Sequence, residues 1–139
     1  MKTTTELLDI LKEKDNYEEV IDEVHPLLSS CTLAEYLNEL IEVKNLRKTD
    51  IIAQSGIERS YAYQIFAGKK IPSRDKLLVL SFGMKLTFEE VQTLLRVNGY
   101  AGLYPRNKRD NIIIFAFYKG QSILELNEKL LAMDETVIA

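Results

Sequence analysis

The chain writes one helix-start signal five times over: Thr3-x-x-Glu6, Asn16-x-x-Glu19, Thr32-x-x-Glu35, Thr87-x-x-Glu90 and Ser122-x-x-Glu125. A side-chain oxygen at the first position accepts from a free N–H of the opening turn, and the glutamate three residues on reaches back. Apolar residues follow at helical spacing in each case: Leu7, Leu8, Leu11; Val20, Ile21, Val24; Leu33, Tyr36, Leu37, Leu40; Val91, Leu94, Leu95; Ile123, Leu126, Leu130. Strand-like alternation is nearly absent. Ile112–Tyr118 has the composition of a buried strand, but no other segment offers it a partner. It lies between Asp110, an expected N-cap, and Gly120, an expected C-cap, and so reads as a buried helix that is apolar on almost every side. The predicted fold class is all-α.

Residues 48–73 (KTDIIAQSGIERSYAYQIFAGKKIPS) carry the most information about function. Two short helices are expected, joined by a bend at Gly56. The second begins near Arg59 and ends at Gly68, with Lys69, Lys70 and Pro72 stopping any continuation. Ile57, Ala62 and Ile65 mark its inward face, so Arg59, Ser60, Tyr63 and Gln64 point outward. Arginine and glutamine can address base edges through paired hydrogen bonds, while flanking lysines serve phosphates. Tyr61 and Phe66 read as core or rim packing, with base stacking the alternative. Glu58 suits a cap at the helix start but would be repelled by phosphate.

Through Ile51, Gly56-Ile57, Arg59-Ser60-Tyr61, Ile65, Gly68-Lys69-Lys70 and Pro72-Ser73, this stretch resembles the Xre/Cro-type helix-turn-helix family. The likeness extends through a helix at Asp75–Phe82 and, with Leu33–Val43 before and Phe88–Val97 after, covers about half of the chain. Lys48, Ile52, Ala62 and Phe66 depart from the usual residues of that family. The resemblance implies a five-helix, lambda repressor-like DNA-binding domain. Arg59, Ser60, Tyr63 and Gln64 would then face the major groove, and Lys48, Lys69, Lys70 and Arg74 the phosphates. It also implies a homodimer, because a two-fold protein reads two half-sites one helical turn apart.

Charge is distributed in a way that fits this reading better than the net value of −3 does. Residues 1–43 hold three lysines against eleven carboxylates, and residues 44–76 hold eight Lys/Arg against three carboxylates. The local field meets a phosphate backbone within a Debye length of about 8 Å. The alternative is a protein-interaction module on the same fold, antitoxin-like, with little DNA affinity. Its acidic N-terminal extension would bind a basic partner or lie across the chain's own basic face.

Three regions are expected: an acidic helical extension over 1–31, with two helices ended by His25-Pro26; the repressor-like domain over 32–98; and a loop with a C-terminal helical hairpin over 99–139. The hairpin, the N-terminal helices or both pair two copies of the chain, or else the hairpin completes a monomer core, and ETVIA trails off after it. Tyr100 and Tyr104, near Arg106, Lys108 and Arg109, either form a second nucleic-acid contact or pack their rings. The longest apolar run is seven residues, too short for a membrane helix, and the N-terminus lacks an apolar signal core, so a cytoplasmic location is expected. The single Cys31 and single His25 read as structural. No phosphate loop, metal-ligand cluster or nucleophile–base pair appears, so neither an enzyme nor a cofactor is expected.

Overall fold

The computed structural model describes residues 4–13 and 32–139. Eight helices and no strand occur among them: α1 (Thr4–Glu13), α2 (Leu33–Val43), α3 (Lys48–Ser55), α4 (Arg59–Phe66), α5 (Arg74–Gly83), α6 (Phe88–Val97), α7 (Lys108–Lys119) and α8 (Ile123–Ala132). The all-α expectation holds. The second helix of the N-terminal extension, the His25-Pro26 stop and Cys31 lie outside the described residues. No helix of the described residues is long and apolar enough to cross a membrane.

The chain divides into two compact units, Met1–Thr32 and Leu33–Ala139. In the first, α1 exposes Leu8 and Leu11. The second contains α2–α8 and has one hydrophobic core, to which residues on both sides of position 98 contribute. Leu37, Ile65, Leu80 and Leu94 share that core with Ile113, Ala116, Leu126 and Leu130 of the hairpin, all fully buried. Phe82 of α5 stacks on Phe117 of α7, with ring centroids 4.1 Å apart. The hairpin therefore completes the interior of this unit.

Capping accounts for where the helices begin and end. Thr87 with Glu90 and Ser122 with Glu125 form complete capping boxes. At the other end, α4 closes with a Schellman motif: Gly68, at φ +79, donates to the Ile65 carbonyl, and Lys69 donates to that of Gln64. The same six-to-one bond ends α2 at Leu46→Ile41, α5 at Leu86→Ser81 and α8 at Glu135→Leu130. There the left-handed residue is Asn45, Lys85 or Asp134 in place of glycine.

Three expectations about the C-terminal region are corrected. Asn107, not Asp110, caps α7, accepting from the Asp110 N–H. Asp110 lies three residues inside the helix, and its carboxylate is needed elsewhere. The apolar run is not enclosed on every side, since Phe115 and Tyr118 are exposed. Nor does the chain trail off after α8. Ile138 is buried, and Asn127 brackets it by donating to its carbonyl (3.0 Å) and accepting from its N–H (2.9 Å).

Candidate nucleic-acid interface

The α3–α4 pair is held by what its buried side makes. Ile51 of α3 and Ile57, Ala62, Ile65 and Phe66 on the α4 side are all buried. At Gly83, the C-terminal end of α5, a Cβ would stand 2.9 Å from the Ile51 carbonyl oxygen and 2.9 Å from the Ser55 Cβ. α5 therefore meets α3 nearly backbone to backbone, and only glycine permits that approach. On its other side α4 is tied to α2. The Asn38 amide donates to the Phe66 carbonyl at 2.9 Å and to Ala34 at 2.7 Å. That bond satisfies one of the carbonyls a helix leaves open at its end.

Gly56, at φ +71, bends the chain after α3, as the sequence indicated. Glu58 then caps α4, its two carboxylate oxygens accepting from the N–H groups of Ser60 (3.0 Å) and Tyr61 (2.8 Å). Those two backbone bonds, Tyr61 first, hold the Glu58 carboxyl below its ordinary 4.5. The residue that seemed out of place beside phosphate is thus the device that starts the helix.

With the inner face fixed, the outer one follows. Arg59, Ser60, Tyr63 and Gln64 are all exposed along α4. The Arg59 guanidinium sits 5.7 Å from the Tyr63 ring centroid, a cation–π contact that orders both side chains. The Schellman turn returns the chain so that Lys69 and Lys70 both donate backbone N–H groups to the Gln64 carbonyl, at 2.9 and 3.3 Å. Both lysines are consequently held beside the end of the outward face. Across from them Lys48, at the start of α3, lies over the Phe66 ring at 5.4 Å. Phe66 is a packing residue that also seats this cation. Lys48, Tyr63, Gln64 and Lys69 line one 430 Å³ hollow.

Seven of the eight expected contact residues therefore lie on or beside one exposed face. Arg74 does not belong with them. Its guanidinium donates to both carboxylate oxygens of Asp110 (3.3 and 3.0 Å), to the Ala101 carbonyl (3.0 Å) and to the Gly102 carbonyl (3.2 Å). A guanidinium so engaged is committed to the fold and has little left for a phosphate. Lys44 is similarly drawn away, paired with Glu90 at 2.6 Å.

Of the second contact expected near residues 100–109, Tyr100, Lys108 and Arg109 are engaged by the fold, whereas Tyr104 and Arg106 are exposed. The Tyr100 hydroxyl donates to the Pro72 carbonyl at 2.7 Å. Arg109 pairs with Asp75 through two hydrogen bonds and also donates to the Thr136 and Val137 carbonyls. Lys108 donates to the Met133 carbonyl. Sequence reasoning missed Asn38, Gln92 and Gly83. Gln92 holds the loop by accepting from the Leu103 N–H (2.6 Å) and donating to its carbonyl (3.0 Å). None of the three belongs to a local pattern, so only the tertiary contacts reveal them.

Among the described residues no three His, Cys, Asp or Glu side chains come together as metal ligands would. Comparison of the chain with protein-family models, with curated proteins and with solved structures gives no match.

Proposed function

We propose that this protein is a sequence-specific regulator that binds double-stranded DNA, reading the major groove with α4. The observation that carries the reading is the single exposed face on which Arg59, Ser60, Tyr63 and Gln64 stand, with Lys48 and Lys69 flanking the same hollow. A helix with free arginine and glutamine at its opening turns can enter a groove about 12 Å wide and meet guanine and adenine edges. Lysines on either side then take phosphates and fix the register.

The order and lengths of α2–α6 support a five-helix repressor-like arrangement, with α3 and α4 as its helix-turn-helix. In this reading Arg59 selects guanine and Gln64 adenine, each worth about 1–3 kcal/mol of discrimination. Glu58 is turned inward on its own helix, which lowers its cost near phosphate. Lys48, Lys69 and Lys70 supply the salt-sensitive attraction, without Arg74. Two copies of the chain would read a two-fold operator in the cytoplasm.

Selection of bound duplexes from a random-sequence library tests the proposal directly. A recovered two-fold consensus with guanine and adenine at fixed positions is the expected result. Failure to enrich any sequence at low salt, from correctly folded protein, overturns it.

A further inference from the structure

The α5–α6 turn and the far end of the α7–α8 hairpin, with Gln54 of α3, surround a 790 Å³ cavity that none of the α4 residues lines. Sites that bury small organic molecules fall in the range of roughly 300–1,000 Å³ and combine apolar walls with a few polar groups. Two aromatic pairs line this one: Phe82 stacked on Phe117, and Phe88 tilted against Tyr118 with centroids 5.3 Å apart. Tyr118 remains 63% exposed, an unusual state for a ring at the edge of a packed core. The amides of Gln54 and Gln121 supply donors and acceptors to the same space.

The charges decide which ligands suit it. Among the described residues Lys85 is the only cation lining the cavity, against the carboxylates of Glu89 and Glu125. α6 and α8 both begin here, but in each the N-cap hydroxyl of Thr87 or Ser122 already accepts from the N–H of the third residue, and the carboxylate of that residue, Glu90 or Glu125, accepts from the N-cap N–H. An anion would meet the carboxylates of Glu89 and Glu125 and the electron-rich aromatic rings of the lining. A flat cation would meet two carboxylates and aromatic rings whose π systems attract it. We propose that this cavity binds a planar aromatic molecule, neutral or carrying one positive charge, with hydrogen-bonding groups on its edge. The proposal stands apart from DNA binding, since the free protein is the binding species.

The probe is proflavine, a flat aromatic cation, titrated into the full chain by fluorescence polarisation beside the aromatic sulfonate anilinonaphthalene sulfonate. Saturable binding of one proflavine, with a Kd on the order of 10 µM, is expected, with the sulfonate at least tenfold weaker. Gln121→Trp fills the space and should weaken proflavine at least tenfold. Lys85→Gly removes the opposing charge at a residue whose φ of +54 suits glycine, and should tighten it about threefold. Thermal melts establish that each variant is folded. The proposal is overturned by non-saturable proflavine binding, by sulfonate binding as tight, or by unchanged affinity in folded Gln121→Trp. Should that variant not fold, affinity that is unchanged or weakened in Lys85→Gly overturns it equally.

Discussion

Arg74 and Asp110 form a two-pronged ion pair at 3.0 and 3.3 Å, and their chain neighbours repeat it in reverse: Arg109 holds Asp75 at 2.9 and 3.1 Å. An Arg-Asp dipeptide opens α5 and another opens α7, and each arginine reaches the other's aspartate. The crossed arrangement locks the hairpin onto α5 directly after the turn that carries Lys69 and Lys70.

Asp110→Ala would leave the half-buried Arg74 guanidinium without its main partner. We expect a loss of about 2 kcal/mol, below the 3–5 kcal/mol of a fully buried pair because Arg74 keeps some solvent. Arg74→Ala should cost a similar amount. A denaturant double-mutant cycle should find coupling between the two sites. In DNA titrations Arg74→Ala should leave the salt dependence unchanged, and a reduced slope would return this residue to the phosphate set.

Lys69→Ala and Arg59→Ala should separate by kind of effect. The first is expected to weaken binding to every duplex and reduce the salt slope by roughly one unit. The second should lower affinity for the selected site by about 1–3 kcal/mol and relax preference at one base pair. Binding isotherms on specific and scrambled duplexes at several salt concentrations make the comparison.

At Gly83 the added methyl of an alanine would press on the Ile51 carbonyl and the Ser55 Cβ, both at 2.9 Å. Backbone yields poorly, so α3 and α5 must separate, at a cost of about 1–3 kcal/mol by the usual scale of overpacking. The thermal midpoint should drop accordingly. DNA affinity should fall with it, because α3 leads into α4 through the Gly56 bend and carries Lys48. A Gly83→Ala variant as stable as the parent would disprove the close approach.

Acid should act through Glu90. Burial pushes its carboxyl pKa up, but the Lys44 ammonium and the Thr87 N–H outweigh this and bring it below 4.5. A folded-state pKa below the unfolded one means the contribution is complete above pH 4.5 and disappears as pH falls through the lower value. Glu90→Gln should therefore be less stable than the parent at pH 7, with the difference closing in acid. Urea melts across this range check the convergence. Glu58, lowered by the N–H groups of Tyr61 and Ser60, should act in the same direction on α4.

Much of the helical layout was legible because caps are local chemistry. Thr87, Ser122, Gly56 and Gly120 each act within a few residues of themselves, and their helix ends fell where those residues indicated. The stops at Asn45, Lys85 and Asp134 were less visible, since Asn and Asp only tolerate a left-handed backbone and a lysine does not announce one at all. The outward placement of Arg59, Ser60, Tyr63 and Gln64 was also readable, because Ile57, Ala62 and Ile65 leave α4 one way to face. Arg74 was misjudged for the opposite reason. Its partner is 36 residues away, and a basic residue after two lysines looks free until that partner is found.

Periodicity and capping thus determined, from the amino-acid order alone, that the chain forms short helices and which face of α4 is polar. Both depend on contacts within one or two turns. Only the tertiary structure decided which cations stay available, how closely α3 and α5 approach, and that the hairpin and Ile138 close the core. Those outcomes depend on side chains meeting across dozens of residues, where the geometry of packing, rather than any local preference, selects the partner.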